Sequence, residues 1–173
     1  EGPASSPVYP GPTTMSLVDK YPFASDANAT SLCNLYARMT DIGGSGVSSS
    51  THGYTTGGRN LGPTPYIPVQ PEQTSTEAYA NATNIIQKFP YAGDADGTNV
   101  GDLTEGKRYV TNQSSTTHGY ISGGSPSIEA IEKFPFSSDT NSTNVGNLLS
   151  TTWDGYGQSS TTHGYNSGGN FSP

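Results

Sequence analysis

The chain has 173 residues, the length of one domain, but only 30% are hydrophobic and 12% charged, against about 45–50% and about 25% in average globular domains. This composition argues against a thick core, while the 11 Tyr and 5 Phe argue against disorder. The net charge is −7 and the 7 Lys and Arg form no basic run, so we expect no nucleic-acid partner. No apolar run approaches the roughly 20 residues that span a bilayer, so we expect no membrane insertion.

Two recurring segments divide the chain into three repeats. The segment Ser-Ser-Thr-Thr-His-Gly-Tyr-x-Ser-Gly-Gly spans 114–124 and 159–169, with a close relative at 48–58, and a Lys-aromatic-Pro-aromatic tetrad precedes each copy at 20–23, 88–91 and 133–136. Both markers give a period of 45 residues between the second and third repeats. We therefore predict one continuous repeat domain, with a first repeat and N-terminal extension at 1–58, an inserted Pro-rich loop at 59–80, a second repeat at 81–124 and a third at 125–173.

The third repeat gives the clearest order of elements. Residues 127–136 alternate apolar and charged side chains and predict a strand, 137–144 a polar turn, and 145–149 a short second strand. Asp154-Gly155 predicts a hairpin turn, and the Ser- and Thr-rich residues 159–165 predict one further strand before Gly168-Gly169. Since no repeat carries a useful amphipathic helical pattern, the fold class predicted is all-β, with four short strands in each repeat.

The diglycine after a strand, the downstream aromatic strand and the short strand ending in Leu resemble the kelch repeat, whose period is about 50 residues. The chain is most similar to degenerate kelch-like repeats in proteins of marine bacteriophages and environmental sequences. It departs from the usual kelch pattern because its only Trp is Trp153, in the third repeat. The resemblance implies three kelch-like four-stranded blades of a β-propeller or of an open propeller-like block. Because propellers use about 4–8 blades, it also implies completion by oligomerisation.

The repeat signature places a histidine two residues before a tyrosine three times. Its members are His52, Tyr54, His118, Tyr120, His163 and Tyr165. Three histidines could bind one metal ion, but no Asp or Glu holds a matching place, so we favour a structural role. Packing between blades is the favoured role of the tyrosines, with a sugar-stacking surface as the alternative.

The polar turns that follow the tetrads carry oxygen side chains at alternate positions. Asp94 and Asp96 resemble the start of a calcium loop, although the further acidic ligands of a full loop are missing. A turn stabilised by Asx side chains explains all three repeats without metal and is preferred. No other cofactor is predicted.

Five asparagines begin the acceptor pattern for N-glycosylation, which chance also explains in so polar a chain. They are Asn28, Asn81, Asn112, Asn141 and Asn170.

No nucleophile elbow, phosphate loop or zinc-protease motif is present, so we predict no catalytic residue and no enzyme. The leading hypothesis is a structural protein that assembles with copies of itself into an extracellular fibre or a virion appendage. The alternative is a propeller module that recognises a surface glycan or protein.

Overall fold

A computed structural model describes residues 16–37, 39–44, 46–60, 82–126 and 128–171. Within these ranges the chain forms sixteen strands and no helix, so the all-β prediction is confirmed. None of the described segments is a helix long and apolar enough to cross a bilayer. Beyond Asn60, the predicted Pro-rich loop at 59–80 lies outside the described residues, as does Asn81.

The strands are short and follow one another closely. The first eight are β1 (Leu17–Lys20), β2 (Thr30–Asn34), β3 (Met39–Thr40), β4 (Val47–Ser48), β5 (His52–Thr56), β6 (Arg59–Asn60), β7 (Ile85–Pro90) and β8 (Thr98–Asp102). The last eight are β9 (Thr111–Ser114), β10 (His118–Ser122), β11 (Ala130–Pro135), β12 (Thr143–Asn147), β13 (Thr152–Trp153), β14 (Tyr156–Ser159), β15 (Gly164–Ser167) and β16 (Asn170–Phe171).

Two four-stranded antiparallel sheets form the body of the structure. The first sheet has the order β4-β5-β7-β8, and the second has the order β9-β10-β11-β12. A two-stranded N-terminal pair, β1–β2, and a two-stranded C-terminal hairpin, β14–β15, flank them in sequence, while β3–β6 and β13–β16 form separate short ladders. The described strands do not close into a barrel or a ring.

The sheets do not coincide with the sequence repeats. The strand that carries the His-Gly-Tyr signature pairs with the aromatic strand of the following repeat, with Gly53 opposite Phe89 and Gly119 opposite Phe134. Each four-stranded sheet therefore takes two strands from one repeat and two from the next. A repeat boundary at 124/125 falls within the second sheet, between its second and third strands.

The hydrophobic core lies between the two four-stranded sheets. Val47, Tyr54 and Ile86 from the first sheet pack with Ile121 and Phe134 from the second, and each is less than 5% exposed. Burying a side chain of this size stabilises the folded state by about 1.5–3 kcal/mol. Since each sheet is too thin to bury its own faces, contact between sheets supplies this stabilisation.

The hairpin predicted at Asp154-Gly155 is wrong. The flanking strands belong to different ladders, because β13 pairs with β16 and β14 pairs with β15. Asp154 has a positive φ of 61° and its amide donates to Tyr109 O at 2.9 Å. The Asp-Gly pair thus redirects the chain from one ladder to the next, which requires the same left-handed backbone as a hairpin turn.

The single strand predicted at 159–165 is also wrong, because a tight turn interrupts it. Ser160 N donates to His163 O at 2.8 Å, and Ser160 Oγ accepts from His163 N at 3.0 Å. A serine hydroxyl that bonds to the backbone nearby favours a turn over a strand. By contrast, the strands predicted at 127–136 and 145–149 correspond to β11 and β12, with shifted ends.

Candidate functional site

The three signature histidines have the same local geometry in three different hairpins. Each ring places Nδ1 2.8 Å from Oγ1 of the preceding threonine. Each ring centroid also lies 6.3–6.5 Å from the ring of the tyrosine two residues on. This geometry ties each His52, His118 and His163 ring to its own turn.

The signature tyrosine of the first sheet joins that sheet to the second. The ring of Tyr54 lies 5.2 Å from the rings of both Phe134 and Phe136, centroid to centroid, and Tyr54 is 4% exposed. Burial raises the pKa of its phenol. Tyr120 holds the corresponding position in the second sheet, and Tyr165 holds it in the C-terminal hairpin. Tyr165 is 51% exposed.

The signature glycine is required by an aromatic ring that lies on it. A Cβ atom on Gly53 would stand 2.2 Å from Phe89 Cζ, and one on Gly119 would stand 2.5 Å from Phe134 Cζ. The third copy differs: the three atoms nearest to a Cβ on Gly164 all belong to the Gln113 side chain, the closest at 3.3 Å. Among the described residues, no aromatic ring therefore lies on the glycine of the C-terminal hairpin as one does in the two sheets.

A cavity of about 320 Å³ lies beside that glycine, between the second sheet and the C-terminal hairpin. Its lining includes Tyr120, Ile131, Leu148, Gly164 and Tyr165. The first four correspond by repeat position to Tyr54, Ile86, Leu103 and Gly119, which belong to the filled seam between the two four-stranded sheets. In that seam Phe134 fills the space. Within the described part of the chain, the cavity thus has the lining of that seam without an aromatic ring in it.

A buried ion pair also links the two four-stranded sheets. Glu132 on β11 accepts hydrogen bonds from Lys107 Nζ, Ser142 Oγ and both the amide and hydroxyl of Thr104. The side chains of Lys107 and Glu132 are both 0% exposed. Burial alone would raise the pKa of Glu132, but the hydrogen bonds from Lys107, Ser142 and Thr104 outweigh it and hold that pKa below its ordinary value. The group is sealed from solvent, and both carboxylate oxygens accept hydrogen bonds.

The sequence did not suggest this ion pair. A comparison of the repeats by position could have found it, because Met39 on β3 and Gln87 on β7 hold the positions, one repeat earlier, of Lys107 and Glu132. Gln87 is also fully buried and accepts from Ala37 N at 2.7 Å. A polar residue at this position of the strand therefore bonds to the preceding unit in both sheets.

The predicted calcium residues lie in the exposed turn between β7 and β8. Asp96 Oδ1 accepts from Asn34 N at 2.8 Å, and in the next sheet Asn141 Oδ1 accepts from Asp102 N at 3.0 Å. The same turn position thus bonds to the last strand of the preceding sheet in two places. Asp94 lies two residues earlier in the same turn, and no group of three His, Cys, Asp or Glu able to hold a metal occurs in the described ranges. Calcium binding at this turn stays a prediction.

The glycosylation patterns fall in different surroundings. Asn28, Asn141 and Asn170 are exposed. Asn112 is 2% exposed and accepts from Thr56 Oγ1 at 2.8 Å, so the folded chain leaves no room for a glycan on its amide.

No protein-family model matches this chain, and no curated protein matches it.

Proposed function

We propose that this chain is a non-enzymatic structural protein whose β-repeats assemble with other copies of the same chain. The observation that carries the proposal is the contrast between the interior of the sheet stack and its two ends. Tyr21 is 63% exposed whereas the corresponding Phe134 is 2% exposed, and Tyr165 is 51% exposed whereas Tyr54 is 4% exposed. Aromatic side chains that are core in the middle of the stack are surface at both ends, which is typical of association sites.

A kelch-like, propeller-like stack is the arrangement we propose for the assembled state. Its support is the aromatic packing that joins the two four-stranded antiparallel sheets, and a hydrogen bond that recurs at equivalent positions. Ser48 N donates to Ser114 Oγ between the two sheets, and Ser114 N donates to Ser159 Oγ between the second sheet and the C-terminal hairpin. Ring closure from two or more chains, or an open filament, follows from the same heterologous contact. An extracellular fibre or virion appendage suits a chain of low charge with many small polar side chains.

Electron microscopy of the purified chain tests this proposal. We expect rings or filaments much larger than one 18.0 kDa chain. Fields that contain only particles of single-chain size, over a wide range of protein concentration, would contradict it.

One observation favours a second candidate, the recognition of a surface glycan. The cavity between the second sheet and the C-terminal hairpin has the side chains of Tyr120, His163 and Tyr165 in its wall, and aromatic faces with a polar neighbour suit sugar rings. A glycan array distinguishes the two candidates. Saturable binding that Tyr165→Ala abolishes would support recognition, and a blank array would remove it.

A further inference from the structure

The two ends of the described chain are complementary halves of one sheet. In both four-stranded sheets the first two strands form a signature hairpin and the last two form an aromatic hairpin. The C-terminal hairpin β14–β15 corresponds to a signature hairpin, and the N-terminal pair β1–β2 corresponds to an aromatic hairpin. Among the described residues, each of these pairs therefore corresponds to one half of a four-stranded sheet, and the two halves are complementary.

The complete sheets fix how these halves fit together. Tyr54 lies opposite Lys88 in the first sheet, and Tyr120 lies opposite Lys133 in the second. We propose that β15 pairs antiparallel with β1 of a second copy of this chain, with Tyr165 opposite Lys20 of that copy, so that two chains build one four-stranded sheet. This inference rests on the self-assembly proposed above and adds the pairing strands and their register.

The proposed pairing fills the cavity beside Gly164. In the second sheet, the ring of Phe134 lies on Gly119. The residue that corresponds to Phe134 is Tyr21, which directly follows β1 and is 63% exposed. In the proposed register Tyr21 of the second copy stands opposite Gly164 and enters the cavity of about 320 Å³ that Tyr120 lines. The aromatic ring then completes the seam in the same way as Phe134.

A matching contact forms on the other face of the shared sheet. Tyr54 packs on the aromatic strand of the next sheet, at 5.2 Å from Phe134. By the same succession of sheets, Tyr165 packs on Phe89 and Tyr91 of the second copy. Tyr91 is 41% exposed and Tyr165 51% exposed, so both rings are available for this contact.

The last diglycine, Gly168-Gly169, offers a further contact between the two copies. Gly124 N donates to Thr152 O at 2.8 Å, where Thr152 follows the fourth strand of the second sheet. In the shared sheet the corresponding donor is Gly169 N, and the corresponding acceptor is Met39 O of the second copy. Gly168 already has the required positive φ of 67°, although a Cβ there would meet nothing within 4 Å in the described part of the chain.

A second copy fits this place better than the same chain does. In the described structure β1 pairs with β2 and β15 pairs with β14, while two complete sheets separate them along the chain. Joining β15 to β1 of its own chain would close a ring of three sheets, and propellers need about four or more.

A pair of substitutions tests the contact at Gly164. In the single chain, the atoms nearest to a Cβ at this position are Cβ and Cγ of the buried Gln113, at 3.3 Å, so Gly164→Val is expected to fold with only a modest fall in melting temperature. In the shared sheet it collides with Tyr21 of the second copy, so association should weaken at least tenfold. Tyr21→Ala removes the ring, and adding it to Gly164→Val should restore part of the lost association. Thr98→Val, on an exposed strand position of the first sheet, serves as the control.

Cysteine cross-linking tests the register in a Cys33→Ala background. Asp19 of one copy and Asn166 of the other stand opposite in this register, as Gln87 and Thr55 do in the first sheet. An Asp19→Cys chain mixed with an Asn166→Cys chain of different tag length should form the mixed disulfide at least tenfold faster than a Lys20→Cys chain with the same partner. A one-residue shift turns the side chain to the opposite face of the sheet.

The outcomes separate this inference from the proposed function. Multimers in which neither pair cross-links preferentially would overturn the register and leave self-assembly standing. A chain that stays monomeric at every concentration would overturn both. A chain carrying both Asp19→Cys and Asn166→Cys that links internally at high dilution would overturn the second copy as the occupant.

Discussion

Glu132 illustrates how a single residue can hold two thin sheets together. Its carboxylate is fully buried and accepts from Lys107, Ser142 and Thr104, which lie on three different segments. A buried charge is costly unless every lone pair is satisfied, and here the hydrogen bonds satisfy both oxygens. The corresponding Gln87 in the first sheet makes a neutral bond instead.

We predict that Glu132→Gln lowers the free energy of unfolding by about 3–5 kcal/mol, because it leaves the Lys107 ammonium buried without a counter-charge. Adding Lys107→Met should recover most of this loss, since Met39 and Gln87 hold the corresponding two positions one repeat earlier. Urea denaturation of the wild type, both single variants and the double variant measures the coupling.

The exposed ion pair gives a control for that cycle. Lys88 and Asp139 lie 2.6 Å apart, and the Asp139 side chain is 57% exposed. Asp139→Asn should change stability by less than about 1 kcal/mol. If Glu132→Gln and Asp139→Asn lower the free energy of unfolding by the same amount, the buried pair does not stabilise the fold more than the exposed pair does.

Acid should weaken the fold through the same carboxylate. The pKa of Glu132 is lower in the folded chain than its ordinary value, so its contribution is fully present above the unfolded pKa of about 4.3 and is lost as pH falls through the folded pKa. We therefore expect urea midpoints to fall more steeply below about pH 4 in the wild type than in the variant with Lys107→Met and Glu132→Gln. Parallel curves would show that Glu132 does not drive the acid loss.

Among the elements, the signature strand depends on its glycine, and the repeats supply a matched pair of positions. Gly119→Ala forces a Cβ to within 2.5 Å of Phe134 Cζ, so we expect a loss of about 1–3 kcal/mol from overpacking. Gly164→Ala places its Cβ at 3.3 Å from the Gln113 side chain, which needs to shift only slightly, and should cost less than about 1 kcal/mol in the dissociated chain. Thermal unfolding at low protein concentration compares the two, and equal losses would contradict the role given to the ring.

The sequence was sufficient to predict short strands and their polar turns, because alternating apolar residues and turn-forming residues are local signals. It misplaced the elements around the signature. Residues 159–165 have the Thr and Tyr content of a strand, but the hydroxyl of Ser160 bonds to the backbone and forms a turn. Asp154-Gly155 has the composition of a hairpin turn, yet its flanking strands pair elsewhere. A side-chain hydrogen bond decides the first case, and pairing with strands further along the chain decides the second.

At the scale of the whole molecule, the repeat period and the all-β class were predictable from the chain, but the offset between repeats and sheets was not. Pairing of β5 with β7 crosses the inserted segment, and strand partners so distant in sequence leave no local signal. The same limit hid the cavity beside Gly164. The role of Gly164 becomes clear only by comparison with Gly119, on which the ring of Phe134 lies.

The interior and terminal tyrosines should separate folding from association. Tyr54→Ala removes a ring packed against Phe134 and Phe136, so we expect a loss of about 3–5 kcal/mol in the free energy of unfolding. Tyr165→Ala removes a ring that is 51% exposed and should leave the dissociated chain nearly as stable while weakening association. Chemical denaturation at low concentration and sedimentation at high concentration give the two readings. A large stability loss in the dissociated Tyr165→Ala chain would contradict this division.

The most direct test of the central claim is the molar mass of the purified chain by light scattering across a wide range of protein concentration. The account predicts a mass that rises above 18.0 kDa in whole multiples of the chain, and a return toward 18.0 kDa in Gly164→Val. A mass that stays at 18.0 kDa throughout for the wild type would contradict it.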